Sequence, residues 1–283
     1  MSKFRKIYAT EGIYKQTKMR FLDVYEDFIK FNLAIQDKEK VTRGSGKPRS
    51  YASYLIRLIV LYEDIFKDRI EDVTTFNAIK KIEQLRVRYP HEFKSYNKGE
   101  GHFPSASLNS YTAYITQLRN LAEEMLDNDL NYEINSSGFD EHIVEEALQL
   151  MEGPQKRKPK KKIDALYVYP RNPMVIYKAK IRSNWQCEFN NQHETFTSIA
   201  NKKPYLDAHH LIPMATQDYY DNTIDFTDNV VCLCPTCHSR IHHAIIPQKL
   251  EMIEVLYDKR KDLYQRHEID INKQKLESYY GIF

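Results

Sequence analysis

The chain has 283 residues, 42 Lys and Arg against 39 Asp and Glu, a formal net charge of +3, 42% hydrophobic and 29% charged residues. That composition fits a soluble globular chain of one large or two ordinary domains and excludes collagen-like, low-complexity and broadly disordered classes. Only 8 glycines argue against a glycine-rich nucleotide fold. A charge of +3 is too small to argue for a nucleic-acid partner, so local clustering must carry that question.

Met1–Lys6 lacks an apolar run, so no secretory signal is expected. The longest apolar stretch, Leu55–Tyr62, is interrupted by Arg57 and is too short to span a bilayer. Three of the four cysteines, Cys232, Cys234 and Cys237, fall close together, with Cys187 apart. This spacing suits thiolate ligands in a reducing cytoplasm better than a disulfide framework.

The expected fold class is α+β, with a mainly helical first half. Phe21, Val24, Tyr25, Phe28 and Ile29 recur at helical spacing. Gly44–Pro48 predicts a loop and Tyr51–Phe66 a second helix. Thr74 or Thr75 caps a third helix carrying Phe76, Ile79, Ile82 and Leu85. Asn97–Pro104, with two glycines and a proline, predicts a loop. Ser107 or Asn109 starts a fourth helix through Leu121, and Asp140–Met151 makes a fifth. Such apolar stripes are core faces first.

A basic segment follows, with Lys156, Arg157, Lys158, Lys160, Lys161 and Lys162 interleaved with prolines. It predicts a linker able to contact a phosphate backbone through counterion release. Asn172 caps a helix with Pro173 at its first position. Past residue 246, one long helix is expected from Pro247 through Tyr264, then a short helix near the end. The domain reading is therefore residues 1–152 helical, 153–171 basic linker, 172–246 the chemical domain, and 247–283 a helical extension.

The chemistry concentrates between residues 187 and 243. A strand is expected to enter His209, a second to cover Val230–Leu233, and a helix to start near Pro235. Cys234 and Cys237 form a C-x-x-C pair. Cys187 is a third soft ligand and His193 can complete a closed tetrahedral zinc site, with Cys232 the alternative fourth ligand. His209, His210, His238 and His242 form a second group. His238 and His242 are four apart on one helix face and can converge on one ion. His209 and His210 are strand neighbours that point oppositely, so one can face an ion and the other a nucleophile. Asp207 is a candidate partner for one imidazole, and Arg240 a candidate phosphate contact.

The pieces Ala208-His209-His210-Leu211-Ile212-Pro213, Asn229, Leu233-Cys234-Pro235-Thr236-Cys237-His238 and Ile241-His242 resemble the HNH endonuclease family, in its zinc-stapled ββα-metal form. The resemblance implies His209, His238 and His242 as ligands of a catalytic divalent ion, Mg2+ or Mn2+, with Ni2+ or Zn2+ as further candidates. It implies His210 as the general base and Asn229 as the residue orienting the base-bearing loop. Cys187, Cys234 and Cys237 match the zinc knuckle. The knuckle's second cysteine is missing here, and His193-Glu194-Thr195-Phe196 matches an arrangement seen in relatives. Cleavage leaving 5′ phosphates on double-stranded DNA is implied, in an enzyme of restriction or phage-defence type.

Members of this type include modified-cytosine-specific enzymes, so a short unmodified site and a modified base are both open targets. A homodimer is expected, since double-strand cutting by a single-site nuclease often requires two copies. A homing or phage-type nicking enzyme is one alternative. A zinc-stabilised DNA-binding or interaction protein with an inactive site is another. The helical half is the natural place for target recognition, with Lys47, Arg49, Lys98, His102 and Ser105 as candidate contacts.

Overall fold

A computed structural model of the chain describes residues 3–38, 46–136, 142, 145–146, 149, 152–163 and 166–282. The chain divides into two compact units, Met1–Ile115 and Thr116–Ile282, with the division falling inside a long helix.

The first unit is helical: α1 (Gly12–Arg20), α2 (Leu22–Lys38), α3 (Lys47–Phe66), α4 (Phe76–Arg88), α5 (Pro90–Gly99) and the start of α6 (Phe103–Ser136). Helix α3 is its centre. Leu55, Ile56, Leu58, Ile59, Val60, Leu61 and Tyr62 are all buried, so this helix is covered on nearly every side by α1, α2 and α4. The apolar run noted in the sequence is thus a core helix. Helix α4 begins where expected, with the Thr75 hydroxyl accepting from Ala78 N.

Local details differ from the sequence expectation. Lys47 and Pro48 lie in the first turn of α3, Pro48 being compatible with a helix start. The expected 97–104 loop shrinks to Glu100–His102, because Gly101 and His102 take left-handed φ values of 63° and 65° and reverse the chain at once. The expected fifth helix lies mostly outside the described residues.

The second unit holds the chemistry. Strands β1 (Lys161–Ile163) and β2 (Leu166–Val168) form a small hairpin, followed by α7 (Pro173–Arg182). Asn172 caps α7 by accepting from Met174 N. Strands β3 (Asp207–His210) and β4 (Val230–Leu233) pair antiparallel, with Ala208 opposite Cys232 and His209 opposite Val231. Helix α8 (Pro235–His243) packs on both strands and α9 (Ile246–Asp258) packs on α8. The expected long C-terminal helix breaks after Asp258; Leu263 and Tyr264 belong to the short α10 (Lys261–Tyr264), and α11 (Lys273–Tyr279) follows. Met252, Ile253, Leu256, Tyr264 and Leu276 share one core with Val231 and Leu233, so the C-terminal helices are part of the core around β3 and β4.

Residues 153–163 are folded onto this unit. Lys156 bridges Asn222, Thr223 N donates to Gln155 O at 2.7 Å, and Lys160 Nζ reaches Asp218 at 2.7 Å. The prolines keep this stretch extended, and backbone pairing with residues 221–223 anchors it.

The later part of α6, which belongs to the second unit, is bound to β3 and its surroundings by polar groups. Asn131 Nδ2 donates to Ala208 O at 2.9 Å and its Oδ1 accepts from Ala208 N at 2.8 Å. One turn on, Asn135 Nδ2 donates to Leu206 O, and its Oδ1 accepts from Lys180 Nζ. Buried Arg171 bonds Glu123 and Asp127, each at 2.7 Å. The neighbouring charges hold the Arg171 pKa up despite burial.

Asn131→Ala leaves the Ala208 N–H and C=O without partners. We expect a loss of roughly 2–4 kcal/mol in urea unfolding. Lys180 is fully buried, and burial lowers its pKa to about 8. Because that value lies below the ordinary lysine value, the ammonium costs stability below pH 8, and the cost fades as pH rises toward about 10.5. Wild type should therefore gain roughly 3 kcal/mol relative to Lys180→Met across that window, read from urea unfolding at both ends.

Candidate active site and metal centres

The first cluster is built where α8 starts. Cys234 stands between β4 and α8, Cys237 lies in the first turn of α8, and Cys187 and His193 come from the loop after α7. The donor atoms of Cys187, His193, Cys234 and Cys237 all lie within 4.8 Å of one another. His193 Nδ1 is 3.2 Å from Cys237 Sγ and 3.8 Å from Cys234 Sγ. A tetrahedral zinc with Zn–S bonds of about 2.3 Å sets its sulfurs about 3.8 Å apart, so this donor set fits one. The Cys237 thiol donates to Cys187 and pulls its pKa down to about 4, helped by backbone groups of Asn190, Cys234 and Phe189. The thiolate, the ligating form, is thus favoured there. Cys232 stands outside this group. It is fully buried, and desolvation pushes its thiol up to about 11.

The second cluster joins β3 to α8. His209, His238 and His242 bring their nitrogens within 4.8 Å of one another. Burial, with His242 and His238 adding to it, holds His209 well below the ordinary histidine pKa. It is therefore neutral, the form that ligates a divalent cation. Three imidazoles fit such an ion and leave coordination positions for phosphate oxygen and water. Asp207 Oδ2 lies 3.3 Å from His238 Nδ1, and Glu124 Oε1 lies 2.9 Å from His242 Nδ1.

His210 lies on the other side of the strand yet lines the same cleft, together with Glu124, Asp127, His209, His238 and His242. The cleft holds about 20 Å3, room for an ion or a single water. His210 Nε2 donates to Asp225 Oδ1 at 2.9 Å, and Nδ1 lies 3.4 Å from Asp127 Oδ2. Burial works against its charge, but Asp127 and Asp225 outweigh that and raise its pKa to about 9. Asp127 itself stays below the ordinary carboxylate range. Burial would raise it, but Arg171 and His210 prevail.

Asn229 is fully buried just before β4. Its Oδ1 accepts from Ile212 N at 2.7 Å, and its Nδ2 donates to Ile212 O and Ile224 O. It clamps both ends of the loop that leaves His210.

Residues 189–246 match the family model for HNH endonucleases. This is an HNH endonuclease domain. The chain is also 32% identical, over 115 residues, to the type IV methyl-directed restriction enzyme EcoKMcrA of Escherichia coli strain K12. The aligned stretch is 41% of this chain and spans 38% of that relative.

The histidine cleft draws on Glu124 and Asp127 from outside the matched segment and on Asp225 from within it. None of the three carries a spacing signal that relates it to the histidines. Asp225 follows the loop residues Asp221-Asn222-Thr223, which read as turn composition. Of the candidate DNA contacts, Arg240 points to the cysteine side. It bonds Glu251 at 2.5 Å and sits over Phe189, beside Cys187 and His193. Lys156, Lys158, Lys161 and Lys162 are exposed, whereas Arg157 and Lys160 are directed to Asp218. In the helical unit Lys47, Arg49 and Lys98 are exposed, and the polar groups of His102 and Ser105 hold the turn between α5 and α6. No helix among the described residues is long and apolar enough to cross a membrane.

Metal analysis checks the cysteine cluster. Wild type and Cys232→Ala should each carry one zinc per chain, while Cys187→Ala and His193→Ala should lose most of it. Full zinc in His193→Ala would move the fourth ligand elsewhere.

Proposed function

We propose that this protein is a metal-dependent DNA endonuclease of restriction type that hydrolyses phosphodiester bonds to leave 5′ phosphates. The observation that carries this reading is the shared cleft. An ion-competent histidine triad and a carboxylate-held histidine line the same space.

His210 is assigned as general base. Asp225 holds its Nε2–H and turns Nδ1 to the cleft. A water admitted at Nδ1, where the Asp127 contact is the longer one, gives up its proton to that nitrogen as it attacks phosphorus. Asp225 then stabilises the imidazolium, as a buried carboxylate does for a catalytic histidine. A divalent ion held by His209, His238 and His242 would stabilise charge on the phosphoryl and departing 3′ oxygens and, beside His210, favour its neutral ring. Asn229 keeps the loop after His210 in place.

Lys161 and Lys162 on the β1–β2 hairpin, with Lys156 and Lys158, are proposed to hold the DNA backbone. Arg157 and Lys160 contribute less because Asp218 already neutralises them. The relative described as methyl-directed makes methylated DNA the first substrate to test. Two copies acting together would cut both strands, and a cytoplasmic site of action fits this role.

The test incubates wild type and His210→Ala with unmodified plasmid, methylated plasmid and modified phage DNA, with Mg2+, Mn2+ or EDTA. Fragments from one substrate, abolished by EDTA and reduced at least about 100-fold in the variant, are expected. No cleavage of any DNA with any ion sinks the reading. In binding assays, Lys161→Ala with Lys162→Ala should flatten the slope of log affinity against log salt by roughly 2 and weaken all sequences alike.

A further inference from the structure

Each ring of the ion-competent triad is held from behind by a partner on a different element. His238 Nδ1 faces Asp207 on β3 at 3.3 Å, and His242 Nδ1 faces Glu124 on α6 at 2.9 Å. His209 Nε2 lies 2.9 Å from the Tyr280 hydroxyl, just after α11. That hydroxyl also donates to Leu211 O at 2.8 Å.

These contacts fix where the ring hydrogens go. A neutral imidazole has one N–H and one lone pair, and an ionised carboxylate only accepts. His238 and His242 therefore carry hydrogen on Nδ1 and lone pairs on Nε2. Their Nε2 atoms are 3.3 Å apart. Two lone pairs at that distance repel unless a cation lies with them. Tyr280 has one hydroxyl hydrogen, given to Leu211 O, so it accepts from His209 Nε2–H. Nδ1 is then the ligating nitrogen of His209.

We propose that Glu124 and Tyr280 are positioning residues of the divalent-ion centre, setting tautomer and ring orientation for His242 and His209 as Asp207 does for His238. The proposal rests on the reading of this cluster as the catalytic ion site. Both residues lie outside the 189–246 family segment. Glu124 is well placed for the role because Arg171 engages Glu123 and Asp127 on the same helix. A carboxylate behind a ligating histidine raises its basicity and holds its aim, and losing such a partner typically costs 10–100-fold in metal affinity.

The experiment titrates Mn2+ into zinc-loaded protein by calorimetry. Mn2+ suits the histidine centre and not the thiolate site. Wild type should bind one Mn2+, and His238→Ala should bind none. Glu124→Ala and Tyr280→Phe should bind 10–100-fold more weakly, and Glu124→Gln, which keeps an acceptor without the charge, should fall between wild type and Glu124→Ala. Zinc content and melting temperature of Tyr280→Phe and Glu124→Gln should match wild type, which separates positioning from folding. Affinities of both variants within twofold of wild type would overturn the proposal and leave the ion-centre reading standing. Failure of wild type to bind Mn2+ would overturn both.

Discussion

The ribbon of β3 and β4 has four residues in each strand, and a two-stranded ribbon alone is at best marginal in water. It is held at one rung. Ala208 and Cys232 face each other across the ribbon, and both turn their backbone groups outward. Asn131 takes the N–H and C=O of Ala208, while Glu188 takes those of Cys232 through its carboxylate and its own N–H, at 2.7 and 2.8 Å. A side-chain amide and a carboxylate thus stand where further strands would be. Buried backbone groups need such partners, so loosening either end would free the strand that carries His209 and His210.

That rung also ties together the two metal-competent clusters. Glu188 follows Cys187 in the chain, and its carboxylate pairs with Arg182 and Arg260. Asn131 stands on the helix that carries Glu124 and Asp127 to the histidines. Placement of the cysteine loop and placement of the acidic helix are therefore set by neighbouring backbone groups of one ribbon. Arg171 and Lys180 add buried cationic contacts to the same helix. A helix fixed by this many buried polar bonds behaves as a wall of the site.

What could be read from sequence followed from how local the chemistry is. Cys234 and Cys237 lie one turn apart at the start of α8, and His238 and His242 lie four apart along it, so local geometry alone pairs each set. His209 and His210 diverge because strand neighbours must. The cap at Thr75 and the buried run of α3 are equally local. Glu124, Asp225 and Tyr280 were not legible, since a carboxylate or phenol gives no sign of a histidine far along the chain. The basic segment was legible as charge only: the Asp218 that pairs with Lys160, 58 positions beyond it, gave no sign in the sequence. Arg240, four residues before Ala244 on a helix rich in ligands, was read by proximity, whereas helical periodicity turns it to the cysteine side.

The histidine centre gathers side chains from residue 124 to residue 280. Contacts so far apart in sequence are slow to form, because the chain between them must be ordered before they reward the closure. A chain emerging from the ribosome has His209, His238 and His242 before it has Tyr280, whose hydroxyl faces His209. The cluster is therefore among the last parts of the molecule to be completed, and a chain made only as far as His242 holds the three histidines without the hydroxyl that faces His209.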